Sequence, residues 1–416
     1  MRRAIVIGGS IAGLLASKVL SDNFDDVFII EKDHYNKERN GTPQANQIHI
    51  LLARGRQVLI ELFPDIENLL LARGANKIDF INDVRVRFPD GWSLNFRSDV
   101  YTFTCSRRLL EDVILEEVKK HKNIKIIDGR KVEGLLADNN RIIGVKLDDK
   151  SIYGDLIVDA SGRNTNTPRW LEELGFGKVR VSKINSYVGY VTRIIQLDEE
   201  PEWKSIIIFP KPPDNPRMGV LLKIEDQKWM VGALGINKNY PPTDNDGFLN
   251  YLKMLEDDSI YKFVKDSKPI SKPYSYREIG SRRYHYEEIN MPKNLLIIGD
   301  AVTSLNPLYG QGMTIAALAS IALRKYDMKE IVKVSNFPWL LGTSEDFRWS
   351  ATEGEKPIIT KFIQWLVHYL MLLSTEDKEI AYRFARVIQM LDTPTSLLKP
   401  RILFKILYKS IISLLS

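Results

Sequence analysis

A glycine-rich turn close to the start of the chain has residues suited to binding the phosphates of a nucleotide. It reads Gly8-Gly9-Ser10-Ile11-Ala12-Gly13 and joins the apolar run Ala4 to Ile7 to the helical pattern of Ile11 to Leu20. A turn between a strand and a helix directs free backbone N–H groups and the positive end of the helix at a pyrophosphate. Glu31 ends the next apolar run, about 20 residues further on, where a carboxylate can accept hydrogen bonds from ribose hydroxyls. The motif predicts a Rossmann unit, but it does not distinguish NAD from FAD.

Composition and missing motifs exclude several other kinds of site. Cys105 is the only cysteine, so the chain has no intrachain disulfide and no thiolate metal cluster, which fits a reducing cytoplasm. The five histidines show no ligand-pair spacing, and we therefore predict no metal site. The sequence contains neither a Gly-x-Ser-x-Gly elbow nor a Gly-Lys-Ser/Thr phosphate loop, which excludes the hydrolases and P-loop enzymes that depend on them. Lysine and arginine (59) modestly outnumber aspartate and glutamate (53), a surplus that needs no nucleic-acid partner.

The hydrophobic pattern predicts an α/β protein in which two kinds of layer follow each other along the chain. Residues 45–62 and Leu109 to Lys120 have helical spacing, and Val84 to Phe96 alternates around a Pro-Asp-Gly turn as a hairpin does. Leu295 to Ile298 is a later buried-strand pattern that returns the chain to the first layer, and most of the chain beyond residue 326 is predicted to be helical. Four runs rich in β-branched and aromatic residues predict one open antiparallel sheet: Tyr187 to Ile195, Ile206 to Phe209, Met218 to Ile224 and Trp229 to Leu234.

Two segments far apart in the chain resemble the FAD-dependent monooxygenases of the aromatic-hydroxylase (p-hydroxybenzoate hydroxylase-like) fold. Residues 156–163 read Leu-Ile-Val-Asp-Ala-Ser-Gly-Arg and are similar to the Asp-Gly segment of that family. Residues 294–313, which include Ile-Gly-Asp-Ala and Asn-Pro-Leu-Tyr-Gly-Gln-Gly-Met, are similar to its Gly-Asp segment. The resemblance implies that Asp159 lies near the pyrophosphate of FAD and that Asp300 meets a ribityl hydroxyl. It also implies that N–H groups near Gly312 face the flavin edge where charge develops on reduction.

Further matches extend this resemblance over most of the chain and narrow it. Arg107 matches the family's arginine at the start of the helix after the hairpin, and Arg39 matches one near the ribityl chain. The strings at 41–55, 306–312, 349–355 and 400–403 resemble a branch that includes bacterial polyether epoxidases. The cofactor-binding residues that the turn and the resemblance together imply are Gly8, Gly9, Ser10, Ile11, Ala12, Gly13, Glu31, Lys32, Arg39, Gln44, Arg107, Val132, Asp159, Gly299, Asp300, Pro307, Gly310, Gly312 and Met313.

The resemblance also implies a discontinuous domain organisation. Residues 1–80, 101–180 and 281–325 would form a Rossmann-like FAD-binding domain, interleaved with an antiparallel β-sheet substrate domain of residues 81–100 and 181–280. Residues 326–416 would form a C-terminal helical region. The sheet would cover a cavity for an apolar guest, although alternate side chains of each strand must face away from it. Candidate substrate-facing residues are Tyr190, Phe209, Met218 and Trp229, with Tyr187 and Met230 as neighbours of the same type.

In this family, reduced flavin and O2 give a C4a-hydroperoxide that transfers one oxygen atom. The resemblance therefore implies epoxidation or hydroxylation of a hydrophobic polyene, isoprenoid or aromatic substrate. NADH or NADPH is the expected reductant, and the lack of a second Rossmann turn leaves open whether it binds here or a separate flavin reductase supplies the electrons. His49 is either a residue near the flavin or the reductant, or a histidine that packs a helix.

Two other functions are compatible with the same segments. Geranylgeranyl reductases share this architecture, so a flavin-dependent reductase of isoprenoid double bonds is the first, and a non-catalytic flavin-binding redox protein is the second. The sequence predicts a cytoplasmic protein, with membrane association left open. Arg401, Lys405 and Lys409 form a basic stripe on an apolar C-terminal helix. That helix could lie on anionic lipid, or it could pack on its own domain with the lysines outward, which is the interpretation we favour.

Overall fold

The computed structural model describes residues 1–35 and 46–415, and it confirms the predicted α/β fold. A parallel sheet carries the glycine turn, and a larger, mainly antiparallel sheet lies beside it, with helices packed on both. The strands are β1 Arg3–Ile7, β2 Asp26–Ile30, β3 Asn76–Asp79, β4 Val84–Phe88, β5 Gly91–Trp92, β6 Tyr101–Thr104, β7 Ile124–Ile127, β8 Gly134–Asp138, β9 Arg141–Lys146, β10 Ser151–Tyr153, β11 Leu156–Asp159, β12 Val181–Gln196, β13 Ser205–Ile208, β14 Arg217–Lys223, β15 Trp229–Gly235, β16 Lys268–Pro269, β17 Tyr274–Tyr284, β18 Leu295–Ile297, β19 Thr303–Ser304 and β20 Glu353–Gly354.

The helices follow the apolar periodicity of the sequence. Several begin at a capping side chain, as α5 does where the Ser106 hydroxyl accepts a hydrogen bond from the N–H of Leu109. The helices are α1 Ile11–Ser21, α2 Ala53–Leu62, α3 Ile66–Ala72, α4 Phe80–Asp83, α5 Arg107–Lys119, α6 Thr167–Glu173, α7 Asn245–Lys253, α8 Ser259–Val264, α9 Gly312–Ala322, α10 Met328–Lys333, α11 Asn336–Asp346, α12 Thr360–Leu373, α13 Lys378–Ile388 and α14 Pro400–Leu415.

The parallel sheet brings two turns to one edge. Its strand order is β18-β11-β1-β2-β7, and its central strands are buried apolar runs because helices cover the sheet. β1 pairs with β2 on one side and with β11 on the other, with Ile7 level with Asp159. Because parallel strands end at the same edge, the glycine turn after β1 lies beside the turn after β11. Helices α5 and α9 both pack against α1 and complete this edge.

The large sheet has ten strands, and one of its pairings differs from the prediction. Its main path is β19-β17-β12-β15-β14-β13-β4-β5, with β16 and β20 also paired to β12. The four predicted runs pair antiparallel, which confirms that prediction. The strand β4 of the predicted hairpin, however, joins β13 in parallel, with Ile206 opposite Arg85. Between β4 and β13 the chain passes through the strands and helices that surround the parallel sheet. The two strands are therefore not the arms of a hairpin, whose tight turn would make them antiparallel.

Two other boundaries differ from the sequence interpretation. The helix expected over residues 45–62 begins only at Ala53, because Leu52 is extended and donates its backbone N–H to the Thr314 hydroxyl at 3.2 Å. The Ala53 N–H is likewise bound by the side chain of Gln389 at 2.8 Å. Strand β17 runs without a break across residue 281, where a domain boundary was placed. The division into domains stays a prediction.

Helices α12, α13 and α14 pack together against β4 and α4 in one apolar cluster. The prediction that the lysines of the last helix point outward is wrong. Lys405 Nζ lies 2.6 Å from a carboxylate oxygen of Asp377, and Lys409 Nζ lies 2.8 Å from a carboxylate oxygen of Glu376. Both lysines therefore form ion pairs with residues just before α13. Within the described ranges, no helix is long and apolar enough to cross a membrane.

Candidate cofactor and substrate site

The glycine turn after β1 has room for backbone only. Gly8 has a φ of +96°, and a Cβ atom placed on it would lie 2.6 Å from the carbonyl oxygen of Ala160. A Cβ on Gly13 would lie 1.8 Å from the carbonyl oxygen of Gly8. α1 begins at Ile11, and the side chain of Ser10 before it does not cap the helix. The turn therefore presents backbone and the positive helix end at the edge of the sheet, as phosphate binding requires.

Glu31 ends β2 beside this turn and is almost fully buried. Its carboxylate accepts hydrogen bonds from the N–H groups of Gly9 at 2.6 Å and Asp33 at 3.0 Å. The Tyr35 hydroxyl donates to the carbonyl oxygen of Gly9 at 2.6 Å. Glu31 therefore holds the turn closed, at the strand end where the sequence predicts a ribose contact. Lys32 is exposed next to it.

Arg107, at the start of α5, reaches the glycine turn. Its Nη2 donates to the Ser10 hydroxyl at 3.2 Å, and Ser10 donates in turn to a Glu111 carboxylate oxygen at 3.2 Å. The Nε of Arg107 is buried and makes no hydrogen bond, and it lies 3.7 Å from that same oxygen of Glu111. The neighbouring Arg108 points into solvent with a side chain that is 88% exposed. Of the two adjacent arginines, Arg107 therefore lies at this edge and Arg108 does not, and the contact of Arg107 with FAD stays a prediction.

His49 lies on the extended segment before α2 and not on a helix. Its Nδ1 is 2.6 Å from the carbonyl oxygen of Gln47, which assigns the ring hydrogen to Nδ1. Its Nε2 then accepts from Nη1 of Arg107 at 3.4 Å. Burial, reinforced by the charge of Arg107, lowers the pKa of His49 to about 3. His49 is therefore a neutral acceptor that orients Arg107, and it is not a proton carrier at neutral pH.

Asp159 ends β11 and is fully buried. Its carboxylate accepts from the Ser161 N–H at 2.8 Å and from the hydroxyls of Thr165 at 2.5 Å and Thr167 at 2.6 Å. These three bonds fix the turn whose carbonyl at Ala160 approaches Gly8. Asp159 therefore fixes the backbone conformation near the predicted pyrophosphate position. Its carboxylate oxygens already accept hydrogen bonds from protein donors.

Asp300 follows β18 in the Gly-Asp segment, beside the start of α9. It makes no hydrogen bond to any residue that the structure describes, and Oδ1 lies 4.0 Å from the position of a Cβ on Gly312. Burial raises the pKa of the Asp300 carboxyl, while the charges of Arg107, Arg163 and Arg282 oppose that shift. A carboxylate thus lies at this edge with cations near it but no direct protein partner.

Several buried polar atoms at this edge lack a protein partner in the described chain. They are Nε and Nη2 of Arg282 and Oε1 of Gln311, in addition to Nε of Arg107. Buried polar groups are normally hydrogen-bonded, so the three unpaired donor atoms of Arg107 and Arg282 and the unpaired acceptor of Gln311 indicate a missing partner with both acceptors and donors. FAD, with its phosphates, ribityl hydroxyls and polar ring edge, has such groups. The residues present therefore fit FAD.

The remaining predicted cofactor residues occupy three places. Gly299, Pro307, Gly310 and Met313 lie along the segment from β18 to the start of α9, and Gly299 and Gly310 have positive φ values of +61° and +62°. Ala12 lies within α1, and Val132 is buried in the core around the parallel sheet. Arg39 and Gln44 lie outside the described residues.

One face of the large sheet adjoins this edge and gathers three of the four predicted substrate residues. Tyr190 of β12 and Met218 of β14 pack in one cluster with Leu308, and Phe209 contacts it. The ring centroids of Tyr190 and Tyr276 are 6.1 Å apart. We call this surface the turn-side face, because the turn at 306–310 packs on it. It joins apolar side chains to tyrosine hydroxyls beside the candidate flavin site.

Trp229 does not belong to this surface. It packs with Trp203 and Phe248 under α7 and α8, on the opposite face of the sheet, which we call the helix-side face. The ring centroids of Trp229 and Trp203 are 5.5 Å apart at 77°, and Trp229 is fully buried. The inclusion of Trp229 among the substrate residues is corrected here, because alternate residues of β15 face opposite sides. Met230 faces the other way, toward Ile48.

The sequence interpretation did not select five polar side chains at this site. Arg163 donates to the Ser304 hydroxyl and the Gly280 carbonyl, both at 2.6 Å, and Arg282 lies near it. Asn306, Tyr309 and Asp346 form a buried network behind the turn-side face. Arg163, Asn306 and Tyr309 stood inside recognised motifs, so their motif position was the available signal. For Arg282 the signal was the string 282–286, whose basic and aromatic residues precede the Gly-Asp segment and predict a strand beside the cofactor. Asp346 had no such signal.

His285 lies 3.2 Å from Glu287 and 3.6 Å from Glu288, the one group in the described chain with metal-ligand proximity. The same two carboxylates pair with cations, however: Glu288 with Arg180 at 2.5 Å and Glu287 with Arg283 at 3.5 Å. The group is therefore accounted for as an ion-pair cluster, and we assign no metal to it.

Comparisons with known proteins give the fold. No family model matches the chain. Protein Rv3254 of Mycobacterium tuberculosis is 28% identical over 341 residues, which cover 77% of this chain and 72% of that protein. The flavin-dependent brominase Bmp2 has a similar structure, with a TM-score of 0.65 at 15% identity over 93% of this chain and 92% of Bmp2. PqsL, a probable FAD-dependent monooxygenase from Pseudomonas aeruginosa, has a TM-score of 0.60 at 16% identity over 91% of this chain and 98% of PqsL. The chain has the fold of the FAD-dependent, aromatic-hydroxylase-like enzymes.

Proposed function

We propose that this chain is an FAD-dependent monooxygenase that inserts one oxygen atom from O2 into a hydrophobic small molecule. The observation that carries the proposal is the junction of two surfaces: one has buried, unpaired polar atoms of Arg107, Arg282 and Gln311, and the other is the apolar, tyrosine-bearing turn-side face. Bmp2 and PqsL, whose names describe flavin-dependent halogenation and FAD-dependent oxygenation, share this fold over more than nine tenths of the chain. When bound, FAD would supply the activation of O2.

The chain's own residues would hold and shield the cofactor. The glycine turn and the start of α1 would receive the phosphates, Glu31 a ribose, and Asp300 with the start of α9 the flavin end. Arg107 would donate to the cofactor, oriented by the acceptor nitrogen of His49. The turn-side face would bind the substrate and exclude water from the reacting atoms.

The sequence resemblance and the turn-side face together suggest the type of reaction and the class of substrate. We propose epoxidation or hydroxylation of a polyene, isoprenoid or aromatic compound, because the turn-side face offers apolar contact and few charges. NADH or NADPH would be the reductant, either bound directly or used by a separate flavin reductase.

The first experiment is the visible absorption spectrum of the purified protein, with release and identification of any chromophore. We expect bound FAD, and we expect Arg107→Met to weaken FAD binding at least tenfold, since one charge-assisted contact is worth about 1.5–3 kcal/mol. Arg108→Met is the matched control, because its side chain is exposed. A colourless wild-type protein that takes up no added FAD would overturn the proposal.

The second experiment separates oxygenation from the alternatives. Anaerobic addition of NADH or NADPH tests direct flavin reduction, and oxygen consumption is then measured with polyene, isoprenoid and aromatic substrates. Product that contains one atom from labelled O2 supports the proposal. Product that forms faster without air would indicate a reductase, and brominated product in the presence of bromide would indicate a halogenase.

Contact of α14 with lipid stays a prediction, but the structure favours a contact made by apolar side chains over one made by the basic stripe. Four apolar side chains of the helix, Phe404, Leu407, Tyr408 and Ile411, are each more than half exposed, together with the charged side chain of Arg401. Exposed Lys361 and Lys399, at the starts of α12 and α14, would add attraction to anionic headgroups. Flotation with anionic vesicles should retain the wild type and lose a Phe404→Ser/Tyr408→Ser variant, and equal flotation of both would refute this contact.

A further inference from the structure

A carboxyl group is buried behind the turn-side face and forms no ion pair with any residue in the described ranges. Asp346 ends α11 and is 1% exposed. Its Oδ1 accepts hydrogen bonds from Nδ2 of Asn306 at 3.0 Å and from the hydroxyl of Tyr309 at 3.3 Å. Its Oδ2 is buried and has no hydrogen-bond partner in the part of the chain that the structure describes. An ionised carboxylate in this position would leave a charged oxygen unsatisfied. In a carboxyl group protonated on Oδ1, by contrast, Oδ2 is an uncharged carbonyl oxygen, which costs less to leave unpaired.

The charges around Asp346 do not stabilise its ionised form. Arg348, two residues further along the chain, donates its Nε to Glu345 at 2.7 Å and its Nη2 to the carbonyl oxygen of Gln364. Ser186 of β12 approaches as a neutral hydroxyl, and Glu345 adds a second negative charge. Burial, opposed by the Ser186, Asn306 and Tyr309 hydrogen bonds, raises the pKa of Asp346 to about 7.

The network connects Asp346 to residues that line the site. Asn306 begins the turn at 306–310, and its side chain accepts a hydrogen bond from the N–H of Leu308 at 3.2 Å. The ring of Tyr309 packs on the same cluster as Tyr190 and lies against α11, where a Cβ on Gly342 would be 3.2 Å from it. Asp346 is therefore one hydrogen bond away from a side chain of the turn-side face.

We propose that Asp346 is a positioning acid that stores a proton behind the substrate space and sets the direction of the Tyr309 hydroxyl. When Asp346 is ionised, Tyr309 donates to it. When Asp346 carries a proton, it donates to the Tyr309 oxygen, and the Tyr309 hydrogen is released to face another acceptor. The two states differ by one proton, taken from or returned to water.

This inference rests on the proposed oxygenase function, which gives the proton a use. Insertion of one oxygen atom consumes one substrate molecule, one O2, one NAD(P)H and one proton, and yields oxygenated product, NAD(P)+ and one water. The neutral His49 cannot supply that proton near neutral pH, because it is not protonated there. We propose that Asp346 and Tyr309 deliver it: Asp346 gives its proton to the Tyr309 oxygen as Tyr309 gives its own proton to the oxygen atom of O2 that leaves as water, and Asp346 then regains a proton from solvent.

The first test needs no turnover. Infrared difference spectra of the FAD-loaded protein between pH 5.5 and 8.5 should show a protonated carboxyl band that disappears near pH 7, together with a tyrosine ring signal. We expect Asp346→Asn to remove both signals and Tyr309→Phe to remove only the tyrosine signal. Glu345→Gln should keep both signals but move their midpoint to lower pH, because it removes a negative charge that raises the pKa of Asp346. Glu287→Gln, at a carboxyl group in the separate His285 cluster, is the matched control and should leave the midpoint unchanged. A carboxyl band that persists in Asp346→Asn, or no titration in the wild type, would overturn the proposal.

The second test uses the reaction. The wild-type rate of oxygenated product formation should fall as the pH rises through about 7, whereas Asp346→Asn should be at least tenfold slower and independent of pH across that range. If Asp346→Asn kept the wild-type pH profile, delivery of the proton from Asp346 through Tyr309 would be refuted. Failure of the oxygenase proposal would look different, because no variant, including the wild type, would then incorporate oxygen while the infrared titration remained. Thermal unfolding of each variant identifies any that does not fold, and Tyr309→Phe then supplies the decisive comparison.

Discussion

The two faces of the large sheet both bury aromatic residues, but they treat polar atoms differently. On the helix-side face, Tyr251 donates its hydroxyl to the carbonyl oxygens of Leu234 and Asn239, both at 3.0 Å. On the turn-side face, the hydroxyl of Tyr190 makes no hydrogen bond to any described residue. One face is a finished core, and the other keeps a polar group open beside the candidate flavin site. Unused hydrogen-bonding capacity, more than aromatic content, therefore separates a ligand-facing surface from a structural one.

The largest expected effect tests the helix-side face. Trp229→Ala should lower the free energy of unfolding by about 3–5 kcal/mol, because a large side chain is removed from a filled cluster under α7 and α8. Urea denaturation measures the loss, and FAD affinity of the folded protein should not change. Met218→Ala, on the turn-side face, is the variant with which stability and FAD affinity are compared. If Trp229→Ala altered substrate preference and left stability intact, the assignment of the two faces would be reversed.

The free energy of unfolding should decrease on acidification because of His49, which lies at the candidate site. The folded-state pKa of His49 is about 3, against an ordinary value of 6.5, so between these values the unfolded chain binds a proton that the folded chain does not. Its contribution to stability is complete above about pH 6.5 and is lost as the pH falls toward 3. The loss should amount to roughly 2 kcal/mol between about pH 7 and pH 5.

His49→Gln tests this assignment by pH-dependent urea denaturation. The variant should lose less stability than the wild type on acidification, and His368→Gln, on a partly exposed histidine, is the control. Trp229→Ala should keep the wild-type pH dependence, since its cluster contains no titrating histidine. An unchanged acid slope in His49→Gln would show that the pKa of His49 is the same in the folded and unfolded protein, and would contradict its lowering by burial.

The parts of the site that depend on local backbone geometry could be predicted from the sequence. Gly8 and Gly13 are required because a Cβ at either position would overlap backbone atoms, and that constraint acts within a few residues. Arg107 could be distinguished from Arg108 because the family motif fixes its place at the start of α5. The fold class was confirmed for the same reason, since strand, turn and helix patterns are local.

The parts that depend on distant segments could not be predicted. The alternation of β15 shows that Trp229 and Met230 face opposite ways, but it does not show which face α7 and α8 will cover. The parallel pairing of β4 with β13 joins segments that are far apart in the chain. The network of Asp346 with Asn306 and Tyr309 likewise exists only after α11 packs behind the turn at 306–310.

The smallest expected effect compares two buried tyrosines. Burial raises the pKa of both Tyr190 and Tyr251, so neither hydroxyl ionises at neutral pH. Tyr251→Phe should cost about 1–2 kcal/mol of stability, because it leaves two buried carbonyl oxygens without their donor. Tyr190→Phe should change stability by less than about 0.5 kcal/mol, since it removes no described hydrogen bond, but it should alter substrate affinity if that hydroxyl meets the guest. Urea denaturation and substrate titration of the two variants give opposite patterns under this assignment, and a stability loss confined to Tyr190→Phe would mean that the turn-side face is the finished core.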